Sequence, residues 1–110
     1  MSIVDRFSKN LSNIEYPKEK CSWNISGMLL NKSNQVFKFD VRPMFEMPSG
    51  ELGKTGNTSS RADKMVFETE KEWIILDTLE LNEYVRKQNK KCFNIQELLK
   101  DLSWNTIIYK

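Results

Sequence analysis

The nearest approach to a chemical motif in this chain is Gly50-Glu51-Leu52-Gly53-Lys54-Thr55, which ends like a phosphate-binding loop. Such a loop cradles phosphate on backbone N–H groups and runs straight into a helix whose N-terminus completes the site. The full spacing needs a glycine five residues before Gly53, and Pro48 stands there. Gly56-Asn57-Thr58-Ser59-Ser60 follows in place of a helix start. The segment therefore reads as a loop tip carrying one lysine.

Other chemistries fare no better. The sequence contains no histidine, which removes imidazole acid–base catalysis and histidine-based triads. Zinc needs clustered Cys and His ligands, whereas Cys21 and Cys92 stand 71 positions apart. The spaced carboxylates of 63–83 do not follow the alternation around a glycine that a calcium loop uses. With no catalytic constellation and no cofactor or metal site, the chain is read as a binder and not an enzyme.

The carboxylates are unevenly spread. Asp63, Glu68, Glu70, Glu72, Asp77, Glu80 and Glu83 face only Lys64 and Lys71 between positions 63 and 83, a local charge of −5 in a chain of net +2. A concentrated field acts on partners, whereas scattered charge mainly keeps a protein dispersed. Asp77 and Glu80 sit where a helix should start, so capping and the helix dipole account for them locally. Glu68, Glu70 and Glu72 surround one turn beside Trp73, and local structure does not ask for three acids there. Acids next to an aromatic make a recognition patch for a basic partner. Glu68, Glu70, Glu72, Asp77, Glu80, Glu83 and Trp73 are thus the expected partner-binding residues. Trp73 has a competing place in the core, from its position in an apolar run.

A basic run, Arg86, Lys87, Lys90 and Lys91, closes the helix that follows. Cations suit the negative end of a helix dipole. An alternative function is nucleic-acid binding through Lys87, Lys90 and Lys91, as in an accessory protein of a phage or mobile element.

These residues need elements to hold them. Ser2 can cap a helix over 2–13, with Ile3, Val4, Phe7 and Leu11 on one face. Alternation from Cys21 to Leu29, a turn at Asn31-Lys32-Ser33-Asn34, and alternation again at Phe37, Phe39 and Val41 predict a hairpin. Residues 43–62, with three glycines and two prolines, read as a loop of a length that is either functional or disordered. Met65–Phe67 and Trp73–Leu76 read as two more strands joined at Glu70-Lys71. The uninterrupted run Trp73-Ile-Ile-Leu76 implies cover on both faces.

A helix over about 79–88 buries Leu81, Tyr84 and Val85. Another starts at Asn94, with Glu97 three residues on and a Phe93–Leu98 staple, and buries Ile95, Leu98, Leu99 and Leu102. Trp104–Tyr109 closes the chain as a strand. The expected fold is α+β: a single two-layer domain over 1–110, with a mostly antiparallel sheet of about five strands and helices on one face.

Composition agrees with one globular domain. The chain is 39% hydrophobic and 29% charged, with twelve aromatics to fill a core. No apolar run approaches the roughly 18 residues that span a bilayer. Residues 1–13 lack the apolar stretch of a signal peptide. Two isolated cysteines are expected to be reduced, partly buried thiols, so the expected location is cytoplasmic, with no membrane partner.

Residues 64–110 resemble small bacterial immunity proteins encoded beside contact-dependent growth inhibition toxins. The resemblance lies in Lys64-Met-Val-Phe-Glu-Thr69, Trp73-Ile-Ile-Leu-Asp-Thr78, the paired short helices and Trp104-Asn-Thr-Ile-Ile-Tyr109. It implies a cytoplasmic, non-enzymatic protein that binds the toxin domain of its own system. Such toxins are often nucleases, commonly RNases, with basic clefts that an acidic surface can cover in competition with phosphate. Immunity proteins to nucleases are often acidic overall; in this chain the acid is local.

Overall fold

The computed structural model describes residues 2–19, 21–30, 32, 34–43, 51–52, 61–88 and 93–110, with the backbone alone at 51, 52, 88 and 93–96. The chain opens with α1 (Ile3–Ser8), capped as expected by Ser2, whose Oγ accepts from the Asp5 N–H at 3.1 Å. Helix was expected to residue 13, but Leu11–Glu15 form β1 instead. Asn10 makes the break: its N–H and its side-chain amide both donate to the Phe7 carbonyl, and its own carbonyl accepts from Leu30. Beyond it Asn13 adopts a φ of 53°, a left-handed conformation that asparagine tolerates better than most residues. Leu11 fits helical spacing from Phe7, but pairing with the next strand satisfies its backbone as well.

The remaining elements are β2 (Ile25–Leu29), β3 (Val36–Pro43), β4 (Glu51–Leu52), β5 (Lys64–Glu68), β6 (Glu72–Asp77), α2 (Thr78–Gln88), β7 (Phe93–Asn94), α3 (Ile95–Asp101) and β8 (Asn105–Tyr109). The main sheet has six strands in the order β1-β2-β3-β5-β6-β8, one more than expected because residues 11–15 joined it. Every pairing is antiparallel except β3–β5, which is parallel. Parallel neighbours need a crossover of a dozen or more residues, which accounts for the long 43–62 connection. Within it β4 pairs antiparallel with β7.

Cover on both faces of the central strands follows from period two. Phe39 and Val41 of β3, Val66 of β5, and Trp73 and Ile75 of β6 pack with Phe7, Leu11, Ile25 and Leu29. Met65, Phe67, Ile74 and Leu76 pack with Leu81 of α2 and with Leu98 and Leu102 at α3. Phe7 sets its ring 5.3 Å from Phe39 and 5.2 Å from Trp73, which places α1 on the first face. The helices therefore lie on both faces, not on one: α1 on one side, α2 and α3 on the other. A strand as apolar as Trp73–Leu76 cannot leave either face to water, and the short α1 supplies the missing layer.

The hairpin β2–β3 forms, but β2 starts at Ile25, so Cys21 lies outside the sheet and its thiol is exposed, not partly buried. Cys92, Lys90, Lys91, the loop tip 53–60 and the Asn94 side chain lie outside the described residues. Gly27 has a specific reason to be glycine. A Cβ there would sit 2.8 Å from the Ser12 carbonyl oxygen and 3.1 Å from Leu11 Cβ, so β1 approaches β2 only because no side chain intervenes. Gly27→Ala is expected to destabilise the fold by about 1–3 kcal/mol through this overlap, read as a lower midpoint in urea unfolding with an unchanged slope.

Candidate functional site

The β5–β6 hairpin divides the acids expected to form one patch. Lys64, Val66 and Glu68 point to the α1 face, as do Trp73, Ile75 and Asp77, while Glu72 shares the opposite face with Ile74 and Leu76. Glu68 and Glu72 thus project from opposite sides of the sheet, and Glu70 stands exposed in the turn between them.

Glu68 ties three elements together. Arg6 of α1 grips it with two parallel bonds, Nε to Oε2 at 3.0 Å and Nη2 to Oε1 at 2.7 Å, and Lys110 Nζ adds a third at 2.9 Å. Lys110 Nζ also lies 4.9 Å from the centre of the Trp73 ring. Trp73 itself is 4% exposed and belongs to the core, so any contact by it with a partner would first require its uncovering. The Arg6 hydrogen bond, with the Lys110 bond and both positive charges, outweighs burial and holds the Glu68 carboxyl below its usual range.

Asp77 and Glu80 serve the start of α2. Asp77 Oδ2 accepts from the Glu80 N–H at 3.1 Å, so Asp77 is the capping side chain. Its Oδ1 accepts from Lys64 Nζ at 2.8 Å. Burial pushes the Asp77 carboxyl up, but the Lys64 bond and charge with the Glu80 and Leu79 N–H groups together bring it below its usual value. Lys64 is 7% exposed, its Nζ 3.8 Å from the centre of the Trp104 ring and 4.8 Å from that of Phe37. Glu80 does more than meet the helix dipole. It accepts from the Ser103 hydroxyl and, at 3.1 Å, from the Trp104 N–H, fastening α2 to the segment after α3.

What remains is Glu83, exposed on α2 at a groove of about 360 Å³ between α2 and the end of α3. Glu80, Glu83, Tyr84, Lys87 and Asp101 line it with Leu102 and Ser103. Tyr84 hydrogen-bonds the Asp101 carboxylate, and its hydroxyl is pushed above its usual value by burial first, then by the charges of Asp101 and Glu97. The phenol therefore stays protonated among three acids, Glu83, Asp101 and Glu97.

Neither Asp101 nor Tyr84 was singled out from sequence as a contact. The signal existed in the helical registers: with Leu98 and Leu102 buried, Glu97 and Asp101 share a flank of α3 four residues apart, as Glu80, Glu83, Tyr84 and Lys87 share one on α2. Lys87, of the basic run, stands at the same groove, and Arg86 is exposed beside it. A second cavity, about 430 Å³, lies between the starts of β3, β5 and α2, lined by Phe37, Arg61, Lys64, Asp77 and Leu79 among others.

Among the described residues no cluster of three or more Cys, Asp and Glu could hold a metal ion, and no helix is long and apolar enough to cross a membrane. No protein-family model, curated protein or solved structure matches the chain.

The Glu68 network has a pH signature. Its folded-state carboxyl titrates below the ordinary 4.5, so it contributes stability that is fully present above that value and is lost as pH falls through the lowered one. Glu68→Gln is expected to lower stability at neutral pH by roughly 1 kcal/mol, discounted for the half-exposed Arg6. The gap from the parent should close on acidification below about pH 4.5, measured by urea unfolding across a pH series.

Proposed function

We propose that the chain is a non-catalytic, cytoplasmic immunity-type protein that binds a basic toxin domain, a nuclease of the RNase kind, and covers its active site. The observation that carries this reading is the groove between α2 and α3, where Glu83 and Asp101 flank the protonated Tyr84. A nuclease cleft presents Lys and Arg to phosphate. Carboxylates flanking an aromatic hydroxyl offer those cations substitute partners and a rigid contact surface. The acids that sequence analysis grouped at the hairpin support this less directly. Glu68, Asp77 and Glu80 already hold the fold together, which leaves Glu70, Glu72, Glu83 and Asp101 for a partner.

The relocated patch also suits steering. Local acid on a chain of net +2 draws a basic domain toward one face, and the effect weakens with salt. Absence of histidine agrees with a protein that blocks chemistry and performs none.

The decisive measurement is affinity for the toxin domain encoded next to this chain, by calorimetry at several salt concentrations. Glu83→Lys with Asp101→Lys is expected to weaken binding by about 10- to 100-fold and to flatten its salt dependence. Glu70→Lys should change affinity far less. Failure to form a complex, or equal affinity for the double variant, would remove the reading. A salt-dependent shift of RNA that disappears with Arg86→Ala and Lys87→Ala would favour the nucleic-acid alternative instead.

A further inference from the structure

The two edges of the six-stranded sheet are built differently. β1 is irregular: its register shifts between Ser12 and Glu15, Asn13 is left-handed, Glu15 is charged, and the chain runs on into Pro17. Bulges, charge and proline are the usual means of refusing another strand. β8 has none of them. Asn105-Thr-Ile-Ile-Tyr109 is uncharged, β-branched and aromatic, and among the described residues no strand pairs on its outer side. Tyr109 is 74% exposed.

Backbone geometry says which groups of β8 face outward. The Lys110 N–H donates to the Lys71 carbonyl at 3.0 Å, in line with the register that sets Tyr109 opposite Glu72 and Ile108 opposite Trp73. Hydrogen-bonded and non-bonded pairs alternate in an antiparallel ladder. Ile108 and Thr106 therefore spend their N–H and C=O on β6. Asn105, Ile107 and Tyr109 turn theirs away from it. These outward positions are symmetric about Ile107.

We propose that β8 pairs antiparallel with β8 of a second copy of this chain, across a two-fold axis between the two Ile107 residues. In that register Ile107 exchanges both backbone bonds with its counterpart. Asn105 does the same with Tyr109 of the second copy, and Thr106 lies opposite Ile108. No outward donor or acceptor of β8 is left over, and no two like charges face each other. The interface uses one patch twice and so closes at a dimer. β1, being irregular, offers no site for further growth. The α2–α3 groove takes no part, so this inference stands apart from the proposed function.

The test needs no variant. Sedimentation over a concentration series gives the mass, and amide hydrogen exchange on the same samples gives the register. The expected result is a dimer in which the Ile107 amide exchanges on the order of tenfold or more slowly than in the monomer. Thr106 and Ile108, bonded to β6, should be protected in both. A monomer at every concentration overturns the proposal, as does a dimer whose Ile107 amide exchanges as fast as in the monomer.

Discussion

Everything in this molecule is arranged around two strands whose side chains have no solvent to turn to. β5 and β6 alternate strictly: Val66, Trp73 and Ile75 to one side, Met65, Phe67, Ile74 and Leu76 to the other. Each side then requires its own cover, and burying these side chains is the main favourable term available to a domain of this size. The single turn-and-a-half of α1 exists to close one side with Phe7; α2 and α3 close the other with Leu81 and Leu98. An α1 this short has little helical stability of its own, so Phe7 in the core and Arg6 on Glu68 hold it in place.

Charge follows the same layout. Glu68 and Asp77 lie at opposite ends of the hairpin on the α1 face, each with a lysine lying against an aromatic ring: Lys110 on Trp73, Lys64 on Trp104. Each ammonium group reaches a carboxylate as well as a π face. Part of the acid that looks like a surface field in the sequence is thus engaged within the fold, Asp77 with the buried Lys64 and Glu68 with the exposed Arg6 and Lys110. Of the acids outside these pairs, Glu83 and Asp101 stand on the helices of the other face, and Glu70 and Glu72 at the hairpin.

Legibility of the sequence tracked how local each decision was. The Ser2 and Asp77 caps, the β2–β3 hairpin, the β5–β6 hairpin, α2 and the closing strand could be read because their deciding contacts lie within a few residues. Residues 11–15 could not. Leu11 suits a helix and a strand equally, and a backbone bond that the distant Leu30 N–H donates to the Asn10 carbonyl breaks the tie. Placing the helices on a single face erred for a related reason: Phe7 finds Trp73 across 66 positions of sequence. For the candidate site, sequence located the acids but not their engagement. Glu68 and Glu70 look alike on paper; only the meeting of α1, β5 and Lys110 shows that one is gripped and the other is not. For Asp101 the α3 register puts it on one flank with Glu97 but does not show what that flank faces. Its significance comes from Tyr84, on another helix.

The lone parallel pairing, β3 on β5, divides the chain's contacts in time as well as in space. β1, β2 and β3 are consecutive antiparallel neighbours, and β5, β6, α2, α3 and β8 form a second self-contained run. The β3–β5 seam is the one ladder among the described residues that joins them within the main sheet, and closing it costs the entropy of the whole intervening segment before any ladder bond is made. That cost grows only with the logarithm of the segment's length. Lengthening the 43–62 connection should therefore lower the folding rate and the stability together, and only slightly, while leaving the unfolding rate unchanged, as folding and unfolding rates of loop-extended chains would show.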